Sequence, residues 1–110
     1  MSELARRPCI PCTGGVPPLA RKEQQELLDQ LAGGWRLVEG HHLEKEYRFP
    51  DFRQALGFTM RAGEVAEAAG HHPDINLSWG LVRITIWTHK INGLTEADFV
   101  LAARLDEIPR

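Results

Sequence analysis

The chain contains no run close to the ~18 apolar residues that a membrane span requires, and no apolar stretch follows the arginines of the opening segment MSELARRPCIPC. Neither a span nor an export signal is expected, so a soluble cytoplasmic protein is anticipated. Cysteine is scarce: the two present, Cys9 and Cys12, are too few for a disulfide-stapled secreted scaffold. An excess of one sign of charge is missing too, with a formal net charge of −2 on a chain that is 25% charged and only 7% aromatic. That balance supplies neither a broad basic surface for nucleic acid nor an acidic tail. Neither HExxH nor a second CxxC pair occurs, so the common zinc signatures are incomplete.

What is present is enough chain for one domain, since 110 residues can bury roughly 65% of the surface exposed when unfolded. Residues 1–18 hold both cysteines, two adjacent glycines and four of the seven prolines without apolar periodicity. They read as an extended, flexible leader ahead of a domain over 19–110. LARKEQQELLDQL then places Leu27, Leu28 and Leu31 on one helical face, closed by Gly33-Gly34, and WRLVEGHHLEKEYRF reads as two strands turning at Glu39-Gly40. Asp51 is placed to cap the helix FRQALGFTMRAGEVAEAA, in which Phe52, Leu56 and Met60 share a stripe and after which Gly70 adopts φ > 0.

DINLSW sets Ile75, Leu77 and Trp79 on one face; after a turn at Gly80, LVRITIW points Val82, Ile84 and Ile86 inward and Arg83, Thr85 and Trp87 outward. THKING loops into TEADFVLAARLDEI, with Leu101, Leu105 and Ile108 as its stripe and Thr95 with Asp98 as a capping box. The order αββαββα predicts an α+β domain: a four-stranded, mostly antiparallel sheet with helices packed on one face. Sheet edges around so small a core need protection, and pairing them between subunits gives a homodimer or homotetramer.

Five histidines carry the chemical interest, because an imidazole exchanges protons near neutral pH. His41 and His42 follow Gly40 at the first hairpin turn, where a solvated polar turn explains them. His71 and His72 follow the carbonyl end of a helix, with Glu67 one turn upstream and Pro73 forcing extended geometry on His72. A solvated turn is the plain reading there as well. His89 changes it, because in an antiparallel hairpin the end of the fourth strand returns to the start of the third. Three histidines with Glu67 and Asp98 nearby then form an acid–base pocket, although Asp98 also has a purely capping role open to it.

The set Glu67, His71-His72-Pro73, Trp79, His89 and Asp98, with LAGGW ending at Trp35, FPDFRQALGF and THKINGLTEAD, resembles the pterin-4a-carbinolamine dehydratases from about Leu19 to Ile108. The resemblance implies an oligomeric α+β subunit that removes water from 4a-hydroxytetrahydropterin to give quinonoid dihydropterin, recycling the pterin of aromatic amino-acid hydroxylases. It places His71, His72 and His89 on the family's active-site histidines, and Pro73 and Thr88, Lys90 and Ile91 on positions lining the pterin site. Such a dehydration needs a proton donor for the departing hydroxyl and an acceptor for the ring N–H, which histidines supply without a metal or other cofactor. His72 and His89 are expected to lead the proton transfer, His71 to position or share it, and Glu67 and Asp98 to orient the imidazoles.

Two other readings compete. Relatives of this fold resemble non-catalytic binding modules, either transcription cofactors or Rubisco assembly factors. The CxxC of the leader, alone or with His41-His42, is compatible with half a zinc site, a redox pair or a reduced leader.

Overall fold

Asp51 and Gly70 fix the longest element from its two ends. In the computed structural model, which describes residues 3–9 and 17–109, the Asp51 Oδ1 accepts the Gln54 N–H at 2.8 Å and opens the helix α3, Phe52–Ala69. Gly70 closes it at φ 68°, and a bulkier residue would be strained there. The other elements are α1 (Glu3–Arg6), α2 (Arg21–Leu28), β1 (Arg36–Val38), β2 (His42–Arg48), β3 (Asp74–Ser78), β4 (Leu81–Ile86) and α4 (Glu96–Asp106). A single 3₁₀ turn, His89–Ile91, lies between β4 and α4.

The four strands form one sheet in the order β1-β2-β4-β3, and every neighbouring pair is antiparallel. The α+β architecture is the one anticipated, with α3 packed on β3 and β4, α4 against α3, and α2 against α4. Glu39 and Gly40, both with positive φ, make the tight turn between β1 and β2. At the β3–β4 turn the need for glycine is steric: a Cβ on Gly80 would stand 2.7 Å from the Phe49 carbonyl oxygen.

Leu43 and Tyr47 of β2 and Val82, Ile84 and Ile86 of β4 are buried beneath the helices. Lys45 shares that face, and its ammonium is neutralised by Asp106 at the end of α4, Nζ to Oδ1 2.7 Å. Tyr47 and Trp35 complete the carboxylate's shell, donating to Oδ1 and Oδ2 at 2.8 Å each. On the opposite face Arg83 donates to Glu46 Oε2, and that hydrogen bond holds the Glu46 carboxyl below its usual range.

Three expectations need correction. The Phe52, Leu56 and Met60 stripe of α3 faces outward, 44%, 40% and 63% exposed, while Ala55, Phe58, Ala62, Ala66 and Ala69 form the buried face. Small side chains let the helix lie close over the sheet, and they carry less hydrophobic signal than the larger residues beside them. Trp79 does not continue the inward row of Ile75 and Leu77; it is 68% exposed in the β3–β4 turn. The leader is not extended throughout, since α1 packs on α4 with Leu4 and Ala5 buried and with Arg104 donating to the Ala5 and Arg7 carbonyls. That cover explains why α4 is buried nearly all round rather than along one stripe. Cys12 lies outside the described residues, and Cys9 is half-buried with its thiol donating to the Ala97 carbonyl at 3.6 Å.

Candidate active site

The exit from α3 builds the first wall. The Gly70 N–H bonds to the Glu67 carbonyl and the His71 N–H to the Ala66 carbonyl, which is the paired closure of a left-handed helix end. This fixes the backbone of His71, and its side chain turns inward until it is 10% exposed. There Nε2 meets Asp98 Oδ1 at 2.5 Å. Asp98 is fully buried and its other oxygen accepts from Thr88 Oγ1 and from the Thr95 N–H, both at 2.8 Å. It therefore caps α4 and holds His71 at once, so the two roles open in the sequence are both filled.

A carboxylate has no proton to give, so His71 is the donor in that contact, which leaves Nδ1 as the ring position that can exchange a proton. His72 points the other way. Its Nε2 pairs with Glu67 Oε1 at 2.8 Å, with both side chains largely in solvent. An exposed pair of this kind orients weakly.

The second wall follows β4. Thr88 is buried and exchanges backbone hydrogen bonds with Gly93, closing a small loop that carries His89 and Lys90 on its outside. His89 is exposed and lies flat on Trp87, ring centroids 4.1 Å apart and planes 18° from parallel. Asn92 closes the loop in the left-handed conformation, φ 51° and ψ 47°.

Between the walls is an open cavity of about 270 Å³ lined by Gly70, His71, His72, Trp87, Thr88, His89 and Lys90. The antiparallel return of β4 thus brings together the three histidines that lie far apart in sequence. Glu67 and Asp98 stand behind His72 and His71 rather than on the wall, and Pro73 and Ile91 do not line the cavity. Gly70 and Trp87 were missed as lining residues. Trp87 was legible in principle, since the alternation of β4 carries it to the open face immediately before Thr88. His41 sits in the first hairpin turn and His42 beside it as the first residue of β2, and both rings also lie against Trp87. No group of three His, Cys, Asp or Glu side chains among the described residues is arranged to hold a metal ion.

The arrangement offers a buried, carboxylate-backed imidazole opposite two solvent-facing ones, a setting for moving a proton onto one substrate atom and off another. Comparison with known proteins covers nearly the whole chain. A protein from Rubrobacter xylanophilus named "Putative pterin-4-alpha-carbinolamine dehydratase" is 55% identical, covering 98% of this chain and 100% of its own length. One of the same name from Alkaliphilus metalliredigens is 50% identical over 97% of this chain and 96% of its own. Among solved structures, a transcriptional coactivator/pterin dehydratase from Brucella melitensis superposes with a TM-score of 0.75 at 34% identity, over 81% of this chain and 95% of that one. A pterin dehydratase-like protein described as a RuBisCO assembly factor in the alpha-carboxysome gives 0.56 at 29% identity, over 66% of this chain and 86% of that one. The family model for pterin 4 alpha carbinolamine dehydratase matches residues 17–108, which include every residue of the cavity, and this chain belongs to that family.

Proposed function

We propose that the protein dehydrates 4a-hydroxytetrahydropterin to quinonoid dihydropterin and water, with the three cavity histidines as its proton-transfer groups. The observation that carries this reading is the His71–Asp98 pair at the cavity wall: a buried imidazole of fixed tautomer whose free nitrogen can accept a proton. In the reaction the lone pair of the ring nitrogen next to C4a forms the new C=N bond as the C–O bond breaks. The departing hydroxyl takes a proton from an imidazole, and the same ring nitrogen releases its own proton to another. Acid and base contributions of this kind are typically worth about 10² to 10⁴-fold each.

His72 and His89, on the solvent side, suit the donor part because water can reload them. His71 suits the acceptor part, with the Asp98 carboxylate balancing the charge that arrives. This gives His71 a larger share than its sequence context alone suggests. Thr88 holds the carboxylate, and Lys90 stands at the rim where the pterin side chain would leave the cavity. The substrate and the recycling of a hydroxylase pterin come from the family resemblance. A cytoplasmic setting, with the product returned to pterin-dependent hydroxylation, is part of the same proposal.

The test is the decay of freshly generated 4a-hydroxytetrahydropterin with and without purified protein. Acceleration that is lost in His71→Ala, His72→Ala and His89→Ala supports the reading; a wild-type rate equal to the uncatalysed one overturns it.

For assembly we propose pairing between copies at a sheet edge. The two edges are β1, three residues long, and β3, five residues long with Trp79 exposed at its end, so β3 offers the longer ladder. A monomeric mass in light scattering would dismiss this. A second reading, a non-catalytic binding module, draws on the exposed Phe52, Leu56 and Met60 face of α3 and on the assembly-factor relative. Stoichiometric capture of one protein, unaffected by histidine substitution and without dehydratase activity, would favour it.

A further inference from the structure

Each cavity histidine is held by a different device. His71 donates to Asp98 and His72 pairs with Glu67, whereas no hydrogen bond or ion pair from another described residue reaches the His89 ring. What His89 has instead is the face of Trp87, stacked at 4.1 Å and 18°. Stacking sets the plane and height of a ring while leaving its nitrogens unoccupied. Both nitrogens are then open to substrate and water, whereas a carboxylate partner engages one of the two.

Trp87 is braced in turn. It packs against the core from the open face of the sheet, and the His41 and His42 rings lie against it at 5.5 and 5.9 Å, tilted by 43° and 53°. These two histidines are themselves joined, Nδ1 to Nδ1 at 3.1 Å, so one of the two must donate. The other nitrogen of His41, Nε2, stands 2.8 Å from Asn92 Oδ1. With Nε2–H given to that carbonyl oxygen, neutral His41 accepts at Nδ1 and His42 donates from its own. A line of donors then runs from His42 through His41 to Asn92, the residue that closes the 3₁₀ turn bearing His89. The first hairpin turn grips the second hairpin's loop around Trp87.

We propose that Trp87, braced by His41 and His42, is the positioning residue for His89, doing by ring stacking what Asp98 does for His71 by hydrogen bonding. The inference rests on the dehydratase reading and adds to the site a residue and a histidine pair that the cavity chemistry alone leaves out. A leucine at 87 keeps apolar bulk without a ring face; a phenylalanine keeps a face.

The experiment compares Trp87→Leu, Trp87→Phe and His41→Ala in the 4a-hydroxytetrahydropterin assay, together with NMR of the His89 ring protons, assigned by their loss in His89→Ala. Trp87→Leu is expected to lower kcat about 10 to 100-fold, the scale of a misplaced catalytic group, with KM little changed. Trp87→Phe recovers most of that loss and His41→Ala shows a smaller fall. The wild-type His89 resonances should lie upfield from the ring current of the stacked indole, return to ordinary positions in Trp87→Leu, and stay displaced in Trp87→Phe. Wild-type kcat in a folded Trp87→Leu, a loss expressed in KM alone, or unshifted His89 resonances in the wild type would overturn the inference while leaving the dehydratase intact. Absence of any wild-type acceleration would overturn both. Should Trp87→Leu not fold, the Trp87→Phe resonances and the His41→Ala kcat decide in the same directions.

Discussion

Asp98 Oδ1 stands 2.5 Å from His71 Nε2, tying the first turn of α4 to the end of α3. The opposite oxygen of Asp98 must accept the Thr95 N–H, a donor that cannot reverse. In Asp98→Asn the amide oxygen is therefore kept on the Thr95 side and the NH₂ faces His71, which obliges Nε2 to accept and moves the ring proton to Nδ1. The lone pair in the cavity is lost while the fold is kept. Asp98→Asn is expected to lower kcat by about 10²-fold or more, with a cooperative thermal transition retained; steady-state kinetics and calorimetry check this.

Glu67 and His72 form the contrasting pair, with side chains 81% and 64% exposed. Water and mobile ions already solvate both groups, so the carboxylate has little hold on the ring. Glu67→Gln should leave the melting temperature unchanged and alter kcat less than Asp98→Asn does, by under about tenfold. Equal losses from the two substitutions would show that Glu67 takes a larger part.

Lys45 and Asp106 illustrate a different cost. Both side chains are under one tenth exposed, and the carboxylate also satisfies Trp35 Nε1 and Tyr47 Oη. Asp106→Ala strands a buried ammonium and removes the acceptor of the Trp35 indole, with an expected loss of about 3–5 kcal/mol in denaturant unfolding. A paired Lys45→Met, Asp106→Leu replacement should lose less, because no buried charge is left behind and only the Trp35 N–H still lacks its acceptor.

Two glycines should respond with opposite signs. Gly63 lies inside α3, and a Cβ there meets nothing within 4 Å. Gly63→Ala should gain about 0.5–1 kcal/mol from reduced unfolded-state freedom. Gly80→Ala forces its methyl against the Phe49 carbonyl and should lose about 1–3 kcal/mol. Urea midpoints of the two variants, read side by side, provide the check.

Cys9 carries a pH-dependent expectation. Burial pushes its thiol above the usual range, outweighing the Arg104 guanidinium that lowers it. The native state therefore keeps this proton where the unfolded chain releases it. The associated stability is present below the ordinary thiol range and lost as pH climbs through it toward the folded value. Peptide mapping after iodoacetamide treatment at mildly alkaline pH should show slow labelling of Cys9 in the native protein and fast labelling in urea.

Signals that act over a few residues were legible in the sequence. The Asp51 cap, the Gly70 closure, the Glu39-Gly40 turn and the inward row of Val82, Ile84 and Ile86 each depend on neighbours along the chain. The meeting of His71, His72 and His89 followed from hairpin antiparallelism, so the cavity histidines were accessible too. What escaped depends on distant partners. The alanine face of α3 prevails over Phe52, Leu56 and Met60 because of what it meets across the core. Lys45 occupies an inward position because Asp106 reaches it from the far end of α4. The contact of His41 and His42 with Trp87 becomes visible only when β2 pairs with β4.

The turn of helix at Glu3–Arg6 gives the chain a folding unit larger than the stretch that the family model matches. The family match begins at residue 17, yet Leu4 and Ala5 are buried and Arg104 of α4 is anchored on the backbone of residues 5 and 7. A protein trimmed to the matched boundary would keep every cavity residue and still present an uncovered side of α4 to water. Such a truncation is expected to retain the proposed site and to aggregate, and the opening segment serves as a built-in shield for the helix that carries Asp98.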